Sequence, residues 1–208
     1  TMTDISIQKI PNTTITLFDP VTVSNNVSFT SGRINSSVGN ELIFADNSNH
    51  TGSSDASHVN GPVIKTGNDA FTFPIGKINK LASISISAPF LGTDEFRAEY
   101  FWVIPHNSGY DSTLKDPTIH HVSDNEYWML DRISGTSNVT VNLSWETSRS
   151  GVVDHMPDMR VARWNGSLWK DEGNGGTTGN NAAGSVITSG AVNSFSPFTL
   201  ASATALNP

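Results

Sequence analysis

The chain of 208 residues has no cysteine, which excludes disulfides, thiolate metal sites and cysteine nucleophiles at once. Charge is also scarce. Asp, Glu, Lys and Arg make up 15% of the residues, well below the usual quarter. Twelve basic residues stand against 19 acidic ones, for a net charge of −7 at pH 7. A nucleic-acid-binding domain needs a basic stripe for phosphate contacts, so that class is excluded and no nucleic-acid partner is expected. No apolar run approaches the roughly 20 residues of a membrane span, and the N-terminus lacks a signal peptide's charged-then-apolar layout. With 36% hydrophobic residues the chain is too apolar for an acidic disordered tail.

What is present is neutral polarity and β-branching. Ser (27), Thr (21) and Asn (20) fill 68 of 208 positions, while 15 Val and 15 Ile outnumber 10 Leu. β-Branched side chains are stiff at χ1 and pack well on a pleated surface, so strands are favoured. Short period-two pieces run from Ile5 to Phe44, including Ile15-Thr16-Leu17, Val21-Thr22-Val23 and Val27-Ser28-Phe29, separated by the turn formers Pro11-Asn12, Asp19-Pro20, Asn25-Asn26, Ser31-Gly32 and Gly39-Asn40. Such pieces suit either tight hairpins or the rungs of a small parallel solenoid. Val59–Gly67 and Ala70–Gly76 read as two strands joined by a Gly-Asn-Asp turn. Further strands are expected at Leu81–Ser87, Phe96–Ile104, Tyr127–Leu130, Val139–Trp145, Met159–Trp164 and Ser194–Leu200, with no helix between them, the pattern of an antiparallel sandwich. The expected fold is all-β: short strands or solenoid-like rungs over residues 1–75, packed on a β-sandwich over residues 76–208, or the two as one continuous unit.

Two blocks carry a family resemblance. Ser57-His58-Val59-Asn60-Gly61-Pro62-Val63-Ile64-Lys65-Thr66-Gly67, continuing through Phe71-Thr72-Phe73-Pro74-Ile75-Gly76-Lys77, is similar to a segment of very large secreted surface proteins of Bacteroidetes. The second block runs from Val122-Ser123-Asp124-Asn125-Glu126-Tyr127-Trp128-Met129-Leu130-Asp131-Arg132, through Val161-Ala162-Arg163-Trp164-Asn165-Gly166-Ser167-Leu168-Trp169, to Phe195-Ser196-Pro197-Phe198-Thr199-Leu200. It resembles the module that lies upstream of the C-terminal sorting domain in type IX secretion cargo. The resemblance implies a secreted or cell-surface, adhesin-like protein with no catalytic residues to carry over. It also implies that the chain is an excised piece whose partners include neighbouring domains of the same protein.

The strongest chemical signal is the hairpin Trp164-Asn165-Gly166-Ser167-Leu168-Trp169. Asn-Gly favours a type I′ turn, which pairs Trp164 with Ser167 and Ala162 with Trp169. Both indoles then share a face with Arg160, while Met159, Val161 and Leu168 take the other. Aromatic faces beside a cation suit sugar C–H faces and hydroxyls. Trp164, Trp169 and Arg160, with Tyr110 in a loop, are therefore the expected ligand-binding residues for a glycan on a host or neighbouring cell. Against this stands cover of the same face by the Gly-rich stretch Gly173–Gly184 or by a neighbouring domain.

Metal chemistry has only oxygen-rich loops to draw on, so Ca²⁺ is the ion to consider. Asp46-Asn47-Ser48-Asn49-His50-Thr51-Gly52 begins like a calcium loop but has Thr51 where the sharp-turn Gly belongs. Asp111, Asp154 and Asp158 are further acidic loop positions, and no cofactor is required. His120 and His121 point to opposite faces if they lie in a strand. There is no nucleophile elbow, zinc-protease motif or phosphate-binding glycine loop. Glu99, Glu126, Glu146, Asp124 and Asp131 offer no spacing that selects a glycosidase pair. The reading is a non-catalytic extracellular module for adhesion or carbohydrate binding. The alternatives are a structural spacer between domains of a large adhesin and an accessory module of a secreted polysaccharide-degrading enzyme.

Overall fold

The computed structural model describes residues 1–207 and is all-β, with 21 strands and one short helix, α1 (Thr147–Ser150), beside two 3₁₀ turns among the described residues. No helix among them is long and apolar enough to cross a membrane. The chain forms two compact units, Thr1–Tyr100 with Asp131–Ser137, and Phe101–Leu130 with Asn138–Pro208.

The first unit opens with β1 (Met2–Gln8), β2 (Thr14–Thr16), β3 (Val21–Ser31), β4 (Arg33–Asn35), β5 (Leu42–Phe44), β6 (Asn49–Thr51), β7 (Val59–Asn60) and β8 (Val63–Thr66). None of these forms a hairpin with its successor. β1 pairs with β3, β3 with β5 and β6, β5 with β8, β2 with β4 and β4 with β7, all in parallel. Val21, Leu42 and Val63 stand side by side, 21 residues apart at each step (21 to 42 to 63). The short pieces are thus solenoid rungs, and the reason is the interior they build. Equivalent apolar positions stack from rung to rung into columns that water cannot reach. One column is Ile15, Ile34, Val59 and, from β10, Ile75. Corners need tight backbone. Gly61, at φ +133°, turns β7 into β8, and a Cβ there would lie 2.3 Å from the Ser36 carbonyl of the preceding rung.

β9 (Phe71–Phe73) and β10 (Ile75–Lys77) complete the last rung, and β11 (Lys80–Leu81), β12 (Ile84–Ile86) and β13 (Glu95–Phe101) close it. Each closing strand is antiparallel: β11 on β10, β12 on β9 and β13 on β8. The expected strand Val59–Gly67 is broken at Gly61 into β7 and β8, and β8 does not pair with β9 across the Gly-Asn-Asp turn, because both its edges are taken, by β5 and β13.

In the second unit the strands are β14 (His121–Val122), β15 (Tyr127–Ser134, its first half in this unit), β16 (Val141–Glu146), β17 (Met159–Trp164), β18 (Trp169–Asp171), β19 (Gly176–Gly179), β20 (Ala183–Ile187) and β21 (Phe198–Ser202). β21 is central, pairing antiparallel with β14, β15 and β17, and β18 extends the sheet beyond β17. A second antiparallel sheet runs β16, β20, β19. β17 lies against β16 and β20, so the two sheets pack face to face. Val141, Leu143 and Trp145 bury alternate positions of β16. Trp145 stands opposite Gly184, where a Cβ would come within 2.4 Å of the indole. Its Nε1–H donates to the Asn180 carbonyl at 3.0 Å.

Candidate functional site

The expected aromatic platform forms on one face but is not open. β17 and β18 pair as Trp164 with Trp169 and Ala162 with Asp171, two residues displaced from the type I′ register. A four-residue turn replaces the two-residue one: the Asn165 N–H donates to the Leu168 carbonyl, and the Asn165 side-chain oxygen accepts the N–H groups of Ser167 and Leu168 at 2.9 Å. This side-chain-to-backbone capping competes with the I′ geometry and wins. Leu168 therefore sits in the turn and not on the face of Met159 and Val161. Arg160, Ala162, Trp164 and Trp169 do share a face, the indoles meeting edge to face with centroids 5.6 Å apart.

That face is covered. Trp169 is fully buried with Ile119, Val122, Ala162 and Ala201, and Trp164 and Tyr110 are half-buried against the cluster. The cover is the segment after Pro105. The Trp169 N–H donates to the Leu114 carbonyl at 2.8 Å, and the Trp169 carbonyl accepts the Asp116 N–H at 2.9 Å, so Lys115 runs parallel beside it. Tyr110 packs on Trp164, Trp169 and Tyr127 with centroids 6.1, 6.2 and 5.3 Å away. Trp169 and Tyr110 are thus fold residues. The sequence hides this because a polar loop without periodicity carries nothing to mark it as a cover.

The Gly-rich stretch that was the expected cover instead builds a cleft at the other end of β17. Pro157, Arg160, Gly173–Thr177 and Ser189 line an open space of about 570 Å³. Asn174 holds its wall: its side-chain nitrogen donates to the Met159 carbonyl at 2.9 Å, and its oxygen accepts the Gly176 N–H at 2.8 Å. Gly175 N–H is tied to the Ile187 carbonyl. Arg160 spends Nη1 on the carbonyls of Pro157 and Met159, and its Nε lies 3.9 Å from the Asp171 carboxylate, which leaves Nη2 open. The hydroxyls of Thr177 and Ser189 make no hydrogen bond within the described chain. These open donors beside bare glycine backbone suit a neutral polyhydroxylated ligand. Of the four expected ligand residues only Arg160 lines this cleft. Asn174, Thr177 and Ser189 were missed, though the run of glycines after Glu172 was the available signal.

Of the four acidic loop positions, Asp46, Asp111 and Asp158 have carboxylates engaged by their own chain, while Asp154 is held through its backbone. Asp46 accepts the Asn68 N–H and the Asn47 side chain. The carbonyls of the same loop, from Ala45 and Ser48, accept the Lys65 ammonium at 2.8 and 3.1 Å, with Asp69 at 3.0 Å. An internal cation thereby fills the expected calcium loop. Burial works against Asp69, but the bonds from Lys65 and from the Asn47 N–H outweigh it and hold the carboxyl below its ordinary range. Asp111 caps Thr113 through its N–H and hydroxyl, which lowers its pKa. Asp158 is lowered by the Thr204 hydroxyl and, despite some desolvation, by His155. The Asp154 N–H donates to the Asn207 side chain. No group of three or more His, Cys, Asp or Glu among the described residues is placed to hold an ion. His120 precedes β14 and so is not bound to the opposite face; its Nδ1 lies 2.9 Å from that of His121. Glu126 is wholly buried against Arg149 and is not available as a cleft carboxylate.

Comparison of the chain with protein-family models gives no match, and comparisons with curated proteins and with solved structures give none either.

Proposed function

We propose that this chain is a non-catalytic, extracellular module of a bacterial surface protein, of the secreted Bacteroidetes kind its two sequence blocks resemble, and that it adheres by binding carbohydrate in the cleft beside Arg160. The observation that carries this reading is the set of open donors there, Arg160 Nη2 and the Thr177 and Ser189 hydroxyls, beside glycine backbone that the Asn174 side chain holds in place. A single cation already balanced by Asp171, among neutral groups, matches saccharide hydroxyls better than a phosphate. On a polysaccharide array the chain is expected to be retained, and Arg160→Ala and Thr177→Val are each expected to weaken retention by about tenfold or more, the loss of a hydrogen bond to a charged group or a desolvated partner. The thermal midpoint of Thr177→Val should not move, whereas Arg160→Ala, which also gives up its bonds to the Pro157 and Met159 carbonyls, should lower it slightly.

A second reading, a structural spacer between domains, is favoured by the burial of Trp169 and Tyr110 under the Pro105–Asp116 segment. Absence of retention across a broad panel would sink the carbohydrate reading and leave the spacer.

A further inference from the structure

Two histidines that take no part in the cleft are brought together in the second unit. Neighbours in a regular strand point to opposite faces, but only His121 belongs to β14, where it pairs with Ser202 of β21, and His120 sits in the bend before it. The His120 N–H donates to the Ser202 carbonyl at 2.8 Å, and Ile119 and Val122 on either side are buried, so the backbone carrying both rings is fixed to the sheet. The bend turns the rings to one side. Their Nδ1 atoms stand 2.9 Å apart, with the ring planes perpendicular.

The surroundings fix one of the ring protons. The Asn207 carbonyl beside His121 Nε2 can only accept, so Nε2 carries the proton and His121 Nδ1 presents a lone pair. That carbonyl is itself held in place. Asn207 is buried, its side-chain oxygen accepts the N–H groups of Asp154 and His155, and its side-chain nitrogen donates to the His155 carbonyl and the Ser202 hydroxyl. A ring N–H tied to a backbone carbonyl, with the opposite nitrogen bare, is how a metal-ligating histidine is oriented. His120 is exposed, and its ring makes no other hydrogen bond among the described residues. With no ion its Nδ1–H donates to His121; moving that proton to Nε2, in water, frees a second lone pair beside the first.

We propose that His120 and His121 form a two-nitrogen site for a divalent first-row transition-metal ion, Cu²⁺ foremost, held by both Nδ1 atoms with water in the remaining positions. Imidazole suits these ions, and Cu²⁺ heads their affinity order. The spacing selects the geometry. Two metal–imidazole bonds of about 2.0–2.1 Å at a right angle put their nitrogens about 2.9 Å apart, whereas a tetrahedral angle puts them about 3.3–3.4 Å apart. The observed 2.9 Å is the spacing of adjacent ligands on a square-planar or tetragonal ion. Two protein ligands leave the ion exchangeable.

Titration of the full chain with Cu²⁺ by calorimetry, with electron paramagnetic resonance at one equivalent, tests the site. One saturable equivalent is expected, with superhyperfine splitting from two nitrogens. His120→Gln and His121→Gln should each weaken it by about tenfold or more, since either leaves one ligand and forfeits the chelate; His106→Gln, at an exposed histidine elsewhere, should leave it unchanged. Because His120 is exposed, His120→Gln answers the question even if His121→Gln, which also gives up the Asn207 bond, fails to fold. Absence of saturable binding below millimolar Cu²⁺, affinity indifferent to His120→Gln, a one-nitrogen spectrum, or Zn²⁺ bound more tightly than Cu²⁺ overturns the proposal.

Discussion

Lys65 shows how one side chain decides what a loop can do. Its ammonium has three donors and meets three oxygens, the carbonyls of Ala45 and Ser48 and the carboxylate of Asp69, and it lies over the Phe71 ring, 5.4 Å from the centroid. A buried charge is tolerable only with this degree of satisfaction. Lys65→Met keeps the stem's volume but leaves the acceptors unpaired, and it is expected to lower unfolding stability by about 2–3 kcal/mol in urea titrations. Calcium should not restore the loss, because the loop closes around an ammonium and not an ion with a carboxylate shell. The calcium-loop-like opening of residues 46–52, Asp46 followed by amide and hydroxyl side chains, was legible in the sequence. The lysine that fills the loop, 19 positions on from Asp46, was not, because the contact depends on which rung stacks on which.

At the scale of elements, strand existence and period were largely legible: the apolar alternation of Val139–Trp145 and Met159–Trp164 predicted β16 and β17, and the interior positions of the rungs. Pairing was not. Val59–Gly67 and Ala70–Gly76 look like a hairpin locally, yet edges supplied by β5 and β13 override the turn. The same holds for the cover over β17 and β18. Trp169 is pinned on both backbone groups by Leu114 and Asp116, so Trp169→Ala should cost about 3–5 kcal/mol and expose the Pro105–Asp116 segment to limited proteolysis. Trp164→Ala, on the half-buried rim, should cost less. Equal costs, or loss of glycan retention without loss of stability in Trp169→Ala, would mean that the indole serves a ligand after all.

At the scale of the molecule, acid sensitivity follows from two histidines inside the first unit. His50 lies among Phe29, Phe44 and Phe71, with Nε2 2.6 Å from the Thr72 carbonyl. His58 is fully buried, with Nδ1 3.0 Å from the Ser54 carbonyl. Burial lowers both pKa values below the ordinary 6.5, only partly opposed by those carbonyls, and Arg33 lowers His58 further. The unfolded chain therefore binds more protons than the folded one below pH 6.5. Stability from these groups is complete above that pH and declines as pH falls below it. Asp55 and Asp69, both held below the ordinary carboxylate range, add a second decline when they too are protonated, below their ordinary 3.8. Thermal midpoints should be flat from about pH 8 to pH 7 and fall between about pH 6.5 and pH 5; substituting both histidines with Phe or Gln should remove the first decline.

We propose that the cleft beside Arg160, and not the tryptophan pair, meets a carbohydrate. The amides of Gly173, Gly175, Gly176 and Thr177 and the indole N–H groups of Trp164 and Trp169 are separately resolvable in a two-dimensional ¹⁵N correlation spectrum. Titration with an oligosaccharide from the retained polysaccharide should shift the glycine and Thr177 amides and leave the indoles in place. Shifts at the indoles with a silent Gly173–Thr177 stretch would place the ligand on the tryptophan pair instead.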